Sequence, residues 1–393
     1  MIRRAQHGFT LIEVLVAVSL GILVLGLVMT SFLSQQKAYV SIDLNRISQE
    51  SGRDAMLEME TSLRRLGFGI DPRYAIDMRT YACTTVPCRD SINGPDELVF
   101  VARNPNYRWL DFGESGCATA GGCFSGNAFP ITVAGTALSL TLPVGVSLHK
   151  GRVLELVCPN GQQQTMVQLS APAGPGTGAA LTVLISPTAA GNPYRENAYS
   201  GGSNACYATP GAVAFLVDRY RYAVSTTVAA DPYLVLDTGL DFNGDGVTPD
   251  AGDLDDLIPI AKGVEDLQVA YILNDGTIAG RTAPDSNTDW IVGNQSGTFE
   301  ELNPTLAAPV YATISTDPLR FNLHPANVRA IRITISLRSS KPDQAPTDAW
   351  TGDPLALAEN RTLQLPSYGR YRRSSISATI NVRNLSSRST FMF

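Results

Sequence analysis

Charge, histidine and early proline are all scarce in this chain, and each shortage excludes something. Acidic and basic residues make up only 17% of the 393 residues, 36 acidic against 30 basic, for a net charge of −6. A chain with that balance is a poor candidate for general binding to nucleic acid or to anionic membranes. Histidine occurs only at His7, His149 and His324, and the last two stand isolated beside Lys150 and Pro325. Neither position belongs to a nucleophile–base pair or a zinc-ligand pattern. No G-x-S-x-G elbow, phosphate loop or C-x-x-C pair occurs. The expectation is therefore a protein that is not an enzyme, with aspartate-based hydrolysis as the catalytic rival.

What is present is concentrated at the start. Met1–Gly8 carries Arg3 and Arg4 and ends in glycine, and an apolar run then dominates to Leu33. No charge falls between Glu13 and Lys37, about 24 residues or roughly 36 Å of helix, enough to cross a bilayer. The two arginines keep the leader in the cytoplasm and send everything after Leu33 outside. Glu13 breaks the apolar pattern, at a cost of about 2.5–3.5 kcal/mol for a carboxylate at the centre of such a helix. A secretory signal has its small-residue cleavage site after the apolar core, whereas Gly8 precedes it. Cutting after Gly8 frees an amine on Phe9, and in a bundle of such helices Glu13 can pair with a neighbour's amine. The plainer alternative is a signal anchor whose glutamate snorkels to the interface.

Gly8-Phe9-Thr10-Leu11-Ile12-Glu13-Val14 resembles the class III signal of type IV pilins and type II secretion pseudopilins. The resemblance implies that a prepilin peptidase cuts between Gly8 and Phe9 and methylates the Phe9 amine. It also implies that Glu13 registers the subunit in a filament. The apolar stalk departs from the common pilin pattern in having no proline, which leaves Gly21 and Gly26 as its softening points. Removing the leader takes away two arginines and moves the net charge from −6 to −8.

Beyond the membrane run, Val40, Leu44, Ile47, Ala55, Met59, Leu63 and Leu66 recur at helical spacing and predict one continuous helix from Phe9 to about Leu66. Gly67 and Asp71-Pro72 mark its end. Short branched segments at 97–102, 137–142, 152–158, 164–169, 181–185 and 212–224 read as strands, the last with Tyr220 and Tyr222 on one face and Arg219 and Arg221 on the other. Ile331, Ile333, Ile335 and Leu337 alternate with polar residues, as do Ile376, Ala378, Ile380 and Val382, predicting half-buried antiparallel strands. The stretch 51–68 and Gly263–Tyr271 are similar to segments of PilW-type minor pilins, and with the chain length they favour that group over the shorter J-type pseudopilins.

Cys83, Cys88, Cys117, Cys123, Cys158 and Cys206 all follow the membrane run, and an even number outside the cytoplasm reads as disulfides. Proximity favours 83–88 and 117–123 as small loops, leaving 158–206, although sequence does not select among the pairings. Asp241-Phe-Asn243-Gly-Asp245-Gly246-Val247 resembles a calcium loop, with oxygen side chains at alternate positions and the Val247 carbonyl as a further ligand. The twelfth position is Gly252, so Asp250 or Asp253 would have to close the shell; a solvated turn is the rival. From residue 361 onward stand Arg361, Arg370, Arg372, Arg373, Arg383 and Arg388 with no acid, a cluster open to solvent, to the acidic loop, to another pilin or to an anionic ligand. Tyr81, Tyr107 and Trp109 near the cysteines are either core or a sugar-binding surface.

The expected class is α+β: a leader at 1–8, a membrane or filament-core helix at 9–33, an amphipathic stalk at 34–69 and a mostly antiparallel β head at 70–393. The resemblance implies a minor pilin that primes or caps pilus assembly, with a secretion pseudopilin, a tip adhesin and a DNA-uptake pilin as alternatives. Its implied partners are other minor pilins, the major pilin, prepilin peptidase and a tip adhesin, and nucleic acid is not expected. Its implied location is the inner membrane before assembly and the cell surface afterwards, with calcium the only expected cofactor.

Overall fold

The computed structural model describes residues 10–70, 75–76, 91, 94–104, 128–134, 137–142, 147–158, 164–186, 210–225, 232–249, 254–273, 291–292, 328–342, 352–355, 357–359, 361 and 370–388. A single helix, α1 (Leu11–Leu63), opens it. Its 53 residues correspond to about 80 Å. Gly21 and Gly26 lie within it and meet no other residue. The helix stops three residues short of the expected Leu66. Arg64–Gly69 form tight turns, and Gly67 and Gly69 adopt φ values of 70° and 73° that other residues resist. Leu66 is buried all the same, because the turn folds it back onto the core.

Among the described residues the strands make two antiparallel sheets. The smaller joins β10 (Val264–Leu273), β11 (Ile291–Val292), β12 (Val328–Arg338) and β13 (Arg373–Asn381) in the order β11-β10-β12-β13. A short helix α2 (Arg383–Arg388) follows. The face carrying Ile331, Ile333, Ile335 and Leu337 packs with Ala55, Met59 and Leu63 of α1. The opposite face, expected to be solvated, is covered as well: Thr334 and Ser336 are buried. Ion pairs Arg332–Glu359 and Arg361–Asp266 tie the segment around Leu355–Arg361 to this sheet.

The larger sheet contains β1 (Leu98–Arg103), β2 (Ala128–Ala134), β3 (Ala137–Thr141), β4 (Val153–Val157), β5 (Gln164–Leu169), β6 (Ala180–Ser186), β7 (Val213–Ser225), β8 (Tyr233–Asp237) and β9 (Ile258–Lys262). Its pairings run β2-β3-β6-β5-β4-β7, and β2 then pairs back onto β7 through Ala128–Pro130. Six strands therefore close into a barrel. Alternate residues point into it: Leu138 and Leu140, Leu154 and Leu156, Val167 and Leu169, Val183 and Ile185, Ala214 and Leu216 form one apolar cluster. A barrel this narrow is filled by its own side chains, which leaves no lumen.

β7 belongs to two structures at once. Val213–Val217 pairs with β4 in the barrel, while Arg221–Ser225 pairs with β8 alongside the helix-bearing core. The predicted division of faces holds: Tyr222 joins the core with α1, and Arg219 and Arg221 meet Asp237 on the other side. Outside the barrel, Val153, Met166 and Val217 pack on Ile70 and Val101, and Arg103 reaches Glu155 at 2.7 Å across the same junction.

Candidate functional site

The N-terminal end of α1 carries the first candidate site. Gly8 and Phe9 lie outside the described residues. Thr10 caps the helix: its hydroxyl accepts from the Glu13 backbone N–H at 3.3 Å, and the Glu13 carboxylate accepts from the Thr10 backbone N–H at 3.3 Å. This is a capping box, legible in Thr10-x-x-Glu13 but not used in reading the sequence. In the isolated chain Glu13 thus supports its own helix end. Around and beyond it, from Leu11 (83% exposed) through Leu33, the apolar side chains are bare. Among the described residues this is the one helix long and apolar enough to cross a membrane.

The first buried residue of the helix is Ser48, after half-buried Ser41, Leu44 and Asn45. The buried positions are Ser48, Gly52, Ala55, Met56, Met59, Ser62 and Leu63. Val40 and Ile47, placed in the core stripe from their spacing, are exposed, at 57% and 50%. The correction has a steric cause. A side chain on Gly52 would come within 2.7 Å of Leu337 Cδ1 and 2.8 Å of Ile376 Cδ1, so β12 and β13 approach where the helix is thinnest. Small residues, which an apolar count overlooks, define the docking face.

The acidic loop after β8 is the second candidate. Asp241 is buried, and its two oxygens accept from the N–H groups of Gly244 (2.7 Å) and Gly246 (2.9 Å). Asn243 Oδ1 accepts from Asp245 N–H at 2.8 Å, and Asp245 Oδ1 from Val247 N–H at 2.7 Å. Asp250 and Asp253 lie outside the described residues. Among the described residues no three acidic, histidine or cysteine side chains are gathered as a metal cluster. Asp256, which the sequence reading had not singled out as a ligand, turns back onto the loop and accepts from Phe242 N–H (2.9 Å) and Asn243 N–H (3.1 Å).

The C-terminal arginines are not an open anion surface as a group. Arg373 binds Glu265 at 2.6 Å and Arg361 binds Asp266. Burial raises the Asp266 carboxyl to about 6, against the lowering influence of Arg361. Cys158 is disulfide-bonded and buried in the barrel core, while Cys83, Cys88, Cys117, Cys123 and Cys206 lie outside the described residues. So do His324 and the aromatic residues Tyr81, Tyr107 and Trp109. His149 has a structural contact, Nδ1 donating to the Asp241 carbonyl at 3.0 Å.

Two family models match the chain. The prokaryotic N-terminal methylation motif matches residues 3–29, and the type IV pilus-assembly protein W model, PilW, matches residues 221–384. Together the two matches make the chain similar to minor pilins of the PilW type. No curated protein and no solved structure matches it. The PilW-type match opens at Arg221, where β7 leaves the barrel, and it contains β8 to β13, the strands that carry most of the core under α1. The family's role is structural assembly and not catalysis.

Proposed function

We propose that this PilW-type chain primes or caps the type IV pilus, entering the filament through α1 and holding its β head outward. The observation that carries the reading is the division of that helix at Ser48. From Ser48 onward the helix has a buried face on the head, Ser41, Leu44 and Asn45 are partly covered, and the apolar run Leu11–Leu33 is exposed among the described residues. Lipid covers that run before assembly, and the helices of other pilins cover it afterwards. In this reading prepilin peptidase cuts between Gly8 and Phe9 and methylates the new amine, and Glu13 exchanges its self-made cap for a neighbour's positive end. The chain then passes from the inner membrane to the base or tip of a surface filament, among other minor pilins and the major pilin.

Deleting the gene and complementing it with a tagged chain tests this. Filament number falls on deletion, returns on complementation, and the tagged chain is recovered from sheared pili in low copy beside the major pilin. Normal filament number in the deletion strain, with type II secretion lost instead, would move the protein to the secretion pseudopilus.

A further inference from the structure

We propose that the loop between β8 and β9 binds calcium through Asp241, Asn243, Asp245, the Val247 carbonyl and Asp256, and that the ion fastens the barrel to the strands beside the helix-bearing core. The spacing of the first four is that of a loop wrapping a hard cation. The independent observation is Asp256. It is only 3% exposed, and Oδ1 is held against the first turn of the loop by the N–H groups of Phe242 and Asn243. Its Oδ2 is buried and has no hydrogen-bond partner. A buried carboxylate oxygen without a donor is a position for an ordered water or a cation, and beside three further oxygen ligands in one loop it suits the cation.

Among the described residues, Lys150 reaches the loop at the Gly246 carbonyl, beside the carboxylates of Asp241, Asp245 and Asp256. Both Asp241 oxygens and Asp245 Oδ1 accept from backbone N–H groups of their own loop, and each keeps a second lone pair for an ion. Asp245 is exposed and free to swing inward, and waters complete the shell.

Position gives the site a task. The Asp241 N–H donates to the Lys150 carbonyl at 3.1 Å, and His149 donates to the Asp241 carbonyl. Gly151 lies so close that a Cβ there would stand 1.9 Å from the Gly239 carbonyl oxygen. Residues 148–152 form the turn entering barrel strand β4, whereas the acidic loop hangs from β8 and β9 beside the helix-bearing core. A cation in the loop stiffens the one side of that joint.

The test is calcium titration of the full-length chain in detergent after chelator treatment, followed by calorimetry and thermal unfolding. One saturable site with Kd at or below about 1 mM is expected, the range of extracellular calcium modules. Calcium raises the melting temperature, magnesium does not, and amide exchange slows at residues 149–152. Asp256→Asn and Asp245→Asn keep the hydrogen bonds that Oδ1 accepts, so each preserves the metal-free melting temperature while weakening calcium binding at least tenfold. Absence of saturable binding up to about 5 mM calcium overturns the proposal. So does undiminished binding by the Asp256→Asn chain.

Discussion

Asp266 and Arg361 show how a buried charge pair makes this head sensitive to pH. The carboxyl has its ordinary value of 3.8 when unfolded and about 6 when folded, because burial penalises its charge more than Arg361 relieves it. Between those values the folded chain keeps a proton that the unfolded chain gives up. This group's contribution to stability is therefore complete below pH 3.8 and is lost as pH rises through about 6. Replacing Arg361 with methionine strands the carboxylate, and at pH 7.5 the expected loss is about 3–5 kcal/mol. At pH 5 the loss is much smaller, since Asp266 is then largely protonated. Urea unfolding at the two pH values measures both, and equal losses would show that Asp266 does not titrate in this range.

At the scale of elements, the docking of α1 depends on small residues. Gly52→Leu drives a side chain into Leu337 and Ile376 and is expected to cost about 1–3 kcal/mol. Leu63→Ala, at a fully buried position, costs about 2–5 kcal/mol. Ile47→Ala changes the stability of the head by no more than about 0.5 kcal/mol, because Ile47 is half exposed. Denaturant melts of the three variants order them, and a large effect at Ile47 would contradict the packing described. The strands that alternate cleanly, such as β12, were legible in the sequence. β2, β8, β9 and β11 were not, and for β2 and β9 proline is the reason. Pro130 sits where β2 passes from pairing with β7 to pairing with β3, and Pro259 sits beside a register shift between β8 and β9. Proline is tolerated in strands at such irregular points, so the residue that argues against a strand marks its bend. Barrel closure was invisible for a different reason: the β2–β7 pairing joins residues more than 80 positions apart, and no local pattern encodes it.

For the whole molecule, the shared strand β7 links a part that the PilW-type model matches to a part that precedes the match. The PilW-type match covers residues 221–384 and contains the sheet on which α1 lies; the barrel is built by residues that precede it. The N-terminal motif was readable because its chemistry is local: a leader, Gly8, Phe9 and one acid in an apolar run. The capping box formed by Thr10 and Glu13 adds a detail to that motif, since the same carboxylate that serves the isolated helix is the one asked to serve a filament. Under the proposed function, entry into the filament is an exchange of partners for Glu13, and glutamine is the substitution that isolates it. Glutamine preserves the size and acceptor of the side chain, and hence much of the cap, while removing the charge. The direct measurement is recovery of wild-type and Glu13→Gln chains from sheared pili, with the N-terminus of each read by mass spectrometry. Both chains should begin at methylated Phe9, with the wild type in the filament and the Gln chain retained in the membrane; Gln chain in the filaments at wild-type level would contradict the account.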